Sequence, residues 1–178
     1  MNDPDRWALA VDFGTSRTTG AMASGGTITA LEVDANRWIP SMVLLAPDGT
    51  VLVGAAAEQH ASVHPDRVER TPKRRVGSGA PLLLGGEPLE VVDAIAAILR
   101  RFADEGRLRR NGRDPDAVVL THPVRWEEAR CDVLRASARA AGLPDPVLVE
   151  EPVAAAATTL ACVGADGRPR PLPDWLAS

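Results

Sequence analysis

The chain has 178 residues, 45% hydrophobic and 25% charged, which suits one globular domain with a real core or part of a larger protein. A formal net charge of −4 excludes any strong global attraction to nucleic acid or anionic lipid. Two cysteines, Cys131 and Cys162, are too few for a disulfide framework and are not spaced as zinc ligands, which points to a reduced, cytoplasmic setting. The opening MNDPDRW lacks the basic and apolar regions of a signal peptide, and the longest apolar stretch, VAAAATTLACVG, is too short and too alanine-rich to span a membrane.

In chain order, WALAVDF (7–13) reads as a buried strand, RTTGAMA (17–23) returns after a short turn, and TITALEV (27–33) follows the SGG turn as a third strand. SMVLLAPDGTVLVG (41–54) has the pattern of a hairpin around PDG, and AAAEQHA predicts a short helix. Residues 64–87, rich in Pro, Gly and Arg, are expected to be irregular. The period then changes. Apolar residues at 91, 92, 95, 98, 99 and 102 form one helical stripe, with Pro88 near the start and Gly106 as the stop. AVVLTHP (117–123) is a short strand closed by Pro, and RWEEARCDVLRASARAAG (125–142) is a helix ending on Gly142. PVLVEE (146–151) is another buried strand, and PVAAAATTLACVG (152–164) is a helix with Pro in its first turn. The Pro-rich tail from 165 to 178 reads as a linker or a cut end. Three antiparallel strands followed by α-β-α-β-α predict an α/β fold, a mixed sheet with helices on both faces.

Three stretches carry candidate chemistry. In DFGTSRTT, Asp12 ends a strand, Gly14 allows close backbone approach, and Thr15 and Ser16 offer hydroxyls and amides. That set suits a phosphate cradle with a water-coordinated magnesium ion, and equally an ordinary polar hairpin. In TPKRRVG, Lys73 has the reach of a phosphate-binding point charge or the character of a solvated basic loop. In VEEPVAAAA, Glu150 and Glu151 stand at the carboxyl end of a strand before a helix. There they either position water or metal or complement the helix dipole. His122, without a motif partner, reads as a surface or packing histidine.

Taken together, VDFGTSRTT, IPSMVLL, VGAAA, KRRVG, VVLTHPVRWEEAR, AAGL and VEEPVAAA resemble, in order and spacing, the DnaK-type, seventy-kilodalton heat-shock chaperone family. The resemblance runs from about residue 7 to about residue 160. It implies the first lobe of an actin-like ATPase domain, a ribonuclease H-like sheet, over residues 1–164. ATP or ADP and magnesium are the implied ligands. By position, Asp12 is expected to hold magnesium through water, Gly14, Thr15 and Ser16 to contact phosphates, Lys73 to orient the attacking water, and Glu151 to position metal or water. Pro123 matches the family's switch proline.

The second phosphate motif, the adenosine motif and the peptide-binding domain have no match in the chain. The implied partners are therefore a second lobe and a peptide-binding domain of the same protein, with polypeptide clients and co-chaperones beyond them. ATPase activity is expected of the assembled protein in a stress-response role, and not of this chain alone. An ungapped count puts Cys131 where the family has the arginine that partners the proline, and Arg130, one position earlier, is expected to face elsewhere on the helix. Glu150 stands for an expected Asn, Arg17 for Asn or Tyr, and the segment after Lys73 is short. Two other readings share the opening turn: a sugar- or acetate-kinase-like phosphotransferase lobe, and a non-catalytic actin-like regulatory module.

Overall fold

The computed structural model describes residues 6–152. β1 (Trp7–Phe13), β2 (Arg17–Ser24) and β3 (Thr27–Leu31) form the antiparallel meander. β4 (Trp38–Pro40) pairs with the start of β2, and β5 (Val43–Leu45) and β6 (Val51–Val53) make the hairpin, leading into α1 (Gly54–His60). A two-residue strand, β7 (Val68–Glu69), joins that hairpin on β5, and Pro72–Arg75 form a 3-10 helix. β8 (Leu82–Leu84) and β9 (Glu87–Leu89) make a separate hairpin before α2 (Val91–Arg109). β10 (Ala117–His122), α3 (Glu128–Ala140) and β11 (Val147–Glu150) complete the described chain. The main sheet runs β11-β10-β1-β2-β3, with β1, β10 and β11 mutually parallel.

Alternation along β1 explains the layering. Trp7, Leu9, Val11 and Phe13 are buried, whereas Ala8, Ala10 and Asp12 are not. The buried side meets α2 through Ile95, Leu99 and Phe102 and α3 through Leu134 and Ala138 in one continuous core. A fully buried side chain of this size contributes about 1.5–3 kcal/mol, so a one-residue slip of β1, which would turn that row outward, is strongly disfavoured. α2 packs on both α3 and β1. The core therefore lies on one side of the sheet among the described residues. The helix expected at 152–164 lies outside the described residues, apart from its first residue, Pro152.

Several expectations are corrected. The stretch 64–87 is not irregular throughout. Gly85 and Gly86, with φ of 62° and 84°, supply the two positive-φ positions of a tight hairpin turn between β8 and β9. Pro88 belongs to that hairpin, opposite Leu83, and α2 begins three residues later at Val91. Gly106 does not stop α2, which continues to Arg109. A Cβ at Gly106 would lie 2.4 Å from the Trp7 ring, so this glycine makes room for the indole against the helix. α3 starts at Glu128 rather than 125, because Pro123 to Trp126 form a turn closed by Trp126 N–H to Pro123 O at 3.0 Å. Its end follows expectation. Gly142 has φ 73°, Gly142 N–H reaches Arg139 O, and Leu143 N–H reaches Ala138 O, which is the Schellman arrangement.

Candidate functional site

Because β1, β10 and β11 are parallel, their carboxyl ends share one edge of the sheet. That edge collects Asp12, the turn at 14–16, Pro123 and Glu151, although more than a hundred residues separate the first from the last. Ligands of open α/β sheets bind at such carboxyl ends.

The turn after β1 is tight and rigid. Gly14 N–H donates to Asp12 O at 3.1 Å, and a Cβ on Gly14 would stand 2.2 Å from Arg17 O, so only glycine fits without moving the turn. Ser16 O accepts from Ser41 N–H at 3.0 Å, and the buried hydroxyls of Thr18 and Ser41 bond each other at 2.8 Å, which anchors the turn to the chain after β4. Among the described residues, the backbone N–H groups of Thr15 and Ser16 find no protein acceptor. Asp12 lies on the side of β1 away from the core, and its Oδ1 accepts the Thr121 hydroxyl at 2.5 Å.

Lys73 comes from the 3-10 helix, with Pro72 at its first position. Its stem is buried, and Nζ donates to Phe13 O and, at 2.5 Å, to Glu151 Oε1. The rings of Phe13 and Trp126 flank the ammonium at 5.6 and 5.7 Å, a cation–π setting on two sides. Glu151 itself is 42% exposed, so the pair is only partly desolvated. Two of the three ammonium donors are engaged. Beside this lysine lies a cavity of about 250 Å³, lined in part by Thr15, Lys73, Arg74, Pro123, Trp126 and Arg130. Among the described residues three cations and no carboxylate line it, in a chain whose net charge is −4.

The structure thus gathers Thr15, Lys73 and Pro123 around one cavity, ties Glu151 to Lys73, and sets Asp12 on the strand that leads into the turn. Arg130 corrects an expectation: it lines the same cavity as Pro123 instead of facing elsewhere. Cys131 points inward, buried, with Sγ 4.0 Å from His122 Nδ1. Burial, followed by the Glu128 charge, pushes its thiol above the ordinary value. His122 packs on that thiol and contacts Pro123 O through Nδ1 at 3.0 Å. Thr121 and Trp126 are site residues that sequence reasoning missed. Only the pairing of β1 with β10 reveals Thr121, and only the turn after Pro123 carries Trp126 to Lys73. Among the described residues, no cluster of three or more His, Cys, Asp or Glu side chains forms a metal cage.

The molecule is therefore a mixed α/β protein with a cationic cavity at its parallel strand ends. No protein-family model matches the chain. It is 31% identical to the chaperone protein HscA homolog of Azotobacter vinelandii over 188 aligned residues, covering 91% of this chain and 30% of that protein. It is 25% identical to the chaperone protein DnaK of Thermotoga petrophila and of Thermotoga maritima, covering 88% of this chain and 26% of each of those proteins. The chain belongs to the DnaK-type heat-shock chaperone family as a divergent member, and it spans under a third of the length of these relatives.

Proposed function

We propose that this chain is an ATP-binding, ATP-hydrolysing lobe of a chaperone-like protein that couples nucleotide state to polypeptide binding. In this reading residues 1–164 are the first lobe of an actin-like nucleotide-binding domain with a ribonuclease H-like sheet, and 165–178 a linker or end. The observation that carries it is the Lys73 ammonium, fixed between Phe13 O and Glu151 and bordering a cavity that no carboxylate lines among the described residues, beside the hydroxyl turn.

The residues present fit a magnesium nucleotide. Magnesium keeps several waters and is held through one or two carboxylates plus substrate phosphates, so a dedicated protein cage is not required. Asp12 and Glu151 would hold it through water, and it would supply neutralising charge between phosphate oxygens. The unpartnered amides of Thr15 and Ser16 and their hydroxyls donate to phosphate oxygens, and Gly14 lets the backbone come close. Lys73 offers its third N–H to a phosphate or to the attacking water, while Glu151 holds the ammonium in place. Phe13 and Trp126 exclude water from that ammonium, which strengthens its field. Phosphoryl transfer depends mostly on such positioning and electrostatics. A second lobe supplies the base-binding surface, and a peptide-binding domain, clients and co-chaperones complete the partner set. No described helix is long and apolar enough to cross a membrane, and a cytoplasmic setting fits the cysteine content.

Calorimetry with ATP and magnesium, paired with a phosphate-release assay, tests the reading. The chain is expected to bind in the roughly millimolar range, about −4 kcal/mol, only with magnesium and without steady turnover. Turnover is expected once the second lobe is joined to it, and Asp12→Asn is expected to remove it. Absence of binding would overturn the proposal. Binding with no turnover in the joined protein would favour a regulatory module instead.

A further inference from the structure

Two cations of the cavity, Arg74 and Arg130, have no part in the proposed phosphate site. Arg130 lies in the first turn of α3, and its side chain runs over Gly77. A Cβ at Gly77 would lie 3.0 Å from Arg130 Nε and 3.1 Å from its Cγ, and Gly77 has φ 81°. Glycine there lets the side chain lie against the backbone of the loop that follows Lys73. Elsewhere on α2 and α3 most guanidinium groups are paired with carboxylates, and Arg100 donates instead to Ala140 O. Arg101 bonds Asp34, Arg107 bonds Asp104 and Asp114, and Arg109 bonds Glu105. Arg135 bonds Glu128 and Asp132, and Arg139 bonds Asp145. Arg130 and Arg74, the two arginines that line the cavity, have no carboxylate partner among the described residues. Among the described residues, the two arginines at the cavity lack a carboxylate partner, whereas Arg101, Arg107, Arg109, Arg135 and Arg139 on α2 and α3 each have one.

We infer that Arg130 is a second ligand-binding cation of this cavity, taking terminal phosphate oxygens of a bound polyphosphate together with Lys73. The inference rests on the phosphate reading of the cavity and adds to it a residue from α3. The two cations are chemically complementary. Lys73 is a point charge with two of its donors already engaged, whereas a guanidinium presents a planar fork that bonds phosphate oxygens in pairs. The first turn of α3 thereby becomes sensitive to whether the terminal phosphate is present.

The test uses the 178-residue chain and inorganic tripolyphosphate, with binding followed by calorimetry and phosphorus NMR at several salt concentrations. Arg130→Ala is expected to weaken binding by about tenfold or more and to flatten its salt dependence. Arg130→Lys, which keeps the charge and loses the fork, is expected to fall between the two. Arg125→Ala removes an exposed arginine that does not line the cavity, and it is expected to bind as the unmodified chain does. Equal binding by Arg130→Ala and the unmodified chain overturns the inference, as does an equal loss in Arg125→Ala, which would mean diffuse charge only. If Lys73→Met loses binding while Arg130→Ala does not, the phosphate reading stands and the role of Arg130 falls. If the unmodified chain binds no tripolyphosphate, both fall. Arg130 is exposed, so its variants are expected to keep the fold, which circular dichroism and the thermal midpoint check.

Discussion

The two ends of β1 are built on opposite principles. At the Trp7 end the polar groups of the tryptophan are all satisfied within the protein. Trp7 N–H donates to Asp116 Oδ2 at 2.9 Å, Trp7 O accepts Asp116 N–H at 2.9 Å, and the indole N–H donates to Arg113 O at 3.2 Å. The indole itself is buried in the space that Gly106 leaves open. At the Phe13 end, six residues along, amides lack acceptors among the described residues, an ammonium keeps a donor to spare, and two arginines stand without carboxylates there. Satisfied groups hold a fold together. Unsatisfied groups held rigid by their surroundings are what a ligand can bind, because no internal bond must first be broken.

The largest effect that would sharpen this contrast is on stability. Trp7→Ala is expected to cost about 3–5 kcal/mol, read by denaturant unfolding, while the affinity for magnesium nucleotide stays unchanged wherever the chain remains folded. A variant that lost affinity at unchanged stability would break the division between the two ends. Lys73→Met is the converse. It keeps the buried stem and removes the charge, so nucleotide binding is expected to weaken by about tenfold or more. Stability is expected to change by only about 1 kcal/mol, since the Glu151 partner is substantially exposed. Calorimetry and unfolding curves on one preparation give both numbers, and a large stability loss with intact binding would contradict the assignment.

Cys131 marks the boundary between site and core. Its thiol is pushed above the ordinary value of 9.0 by burial and by the Glu128 charge. In a Cys162→Ser background, alkylation of the folded chain is expected to be slow at neutral pH and to accelerate only above that value. A thiolate already formed near neutrality would mean that the cationic field of the cavity extends inward to Cys131, which the structure does not support.

The smallest effect lies back at the Trp7 end. The Trp7 amide, with Arg6 helping, holds the Asp116 carboxyl below its ordinary 3.8. A folded value lower than the unfolded one means that the unfolded chain binds more protons in between. The stabilisation is therefore present above 3.8 and is lost as pH falls through the folded value. Asp116→Asn is expected to remove that acid-side slope, so its stability curve and that of the unmodified chain converge in strong acid. Parallel curves would show that the carboxylate does not work through its charge.

Local chemistry alone was enough for much of this molecule. The alternation of WALAVDF, the period of α2 and the glycine after α3 act within a few residues of one another, so they are legible before any folding. Even where the reading went astray, the signals were local: Gly85-Gly86 between apolar runs is hairpin chemistry, and Pro88 fits the strand that follows it. Asp12, Gly14, Thr15, Ser16, Lys73 and Glu151 could be singled out because small motifs and a family resemblance preserve their order along the chain. Which of them meet was a different matter. The pairing of β1 with β10 brings Thr121 to Asp12, the turn at Pro123 swings Trp126 over Lys73, and the positive φ of Gly77 opens the path along which Arg130 reaches the cavity. A helical period counted from one end predicts a direction for each side chain relative to its own axis. It carries no information on where the loop after Lys73 lies. Those contacts join residues far apart in sequence, so they were decided only when the core closed and the parallel strands brought their carboxyl ends to one edge.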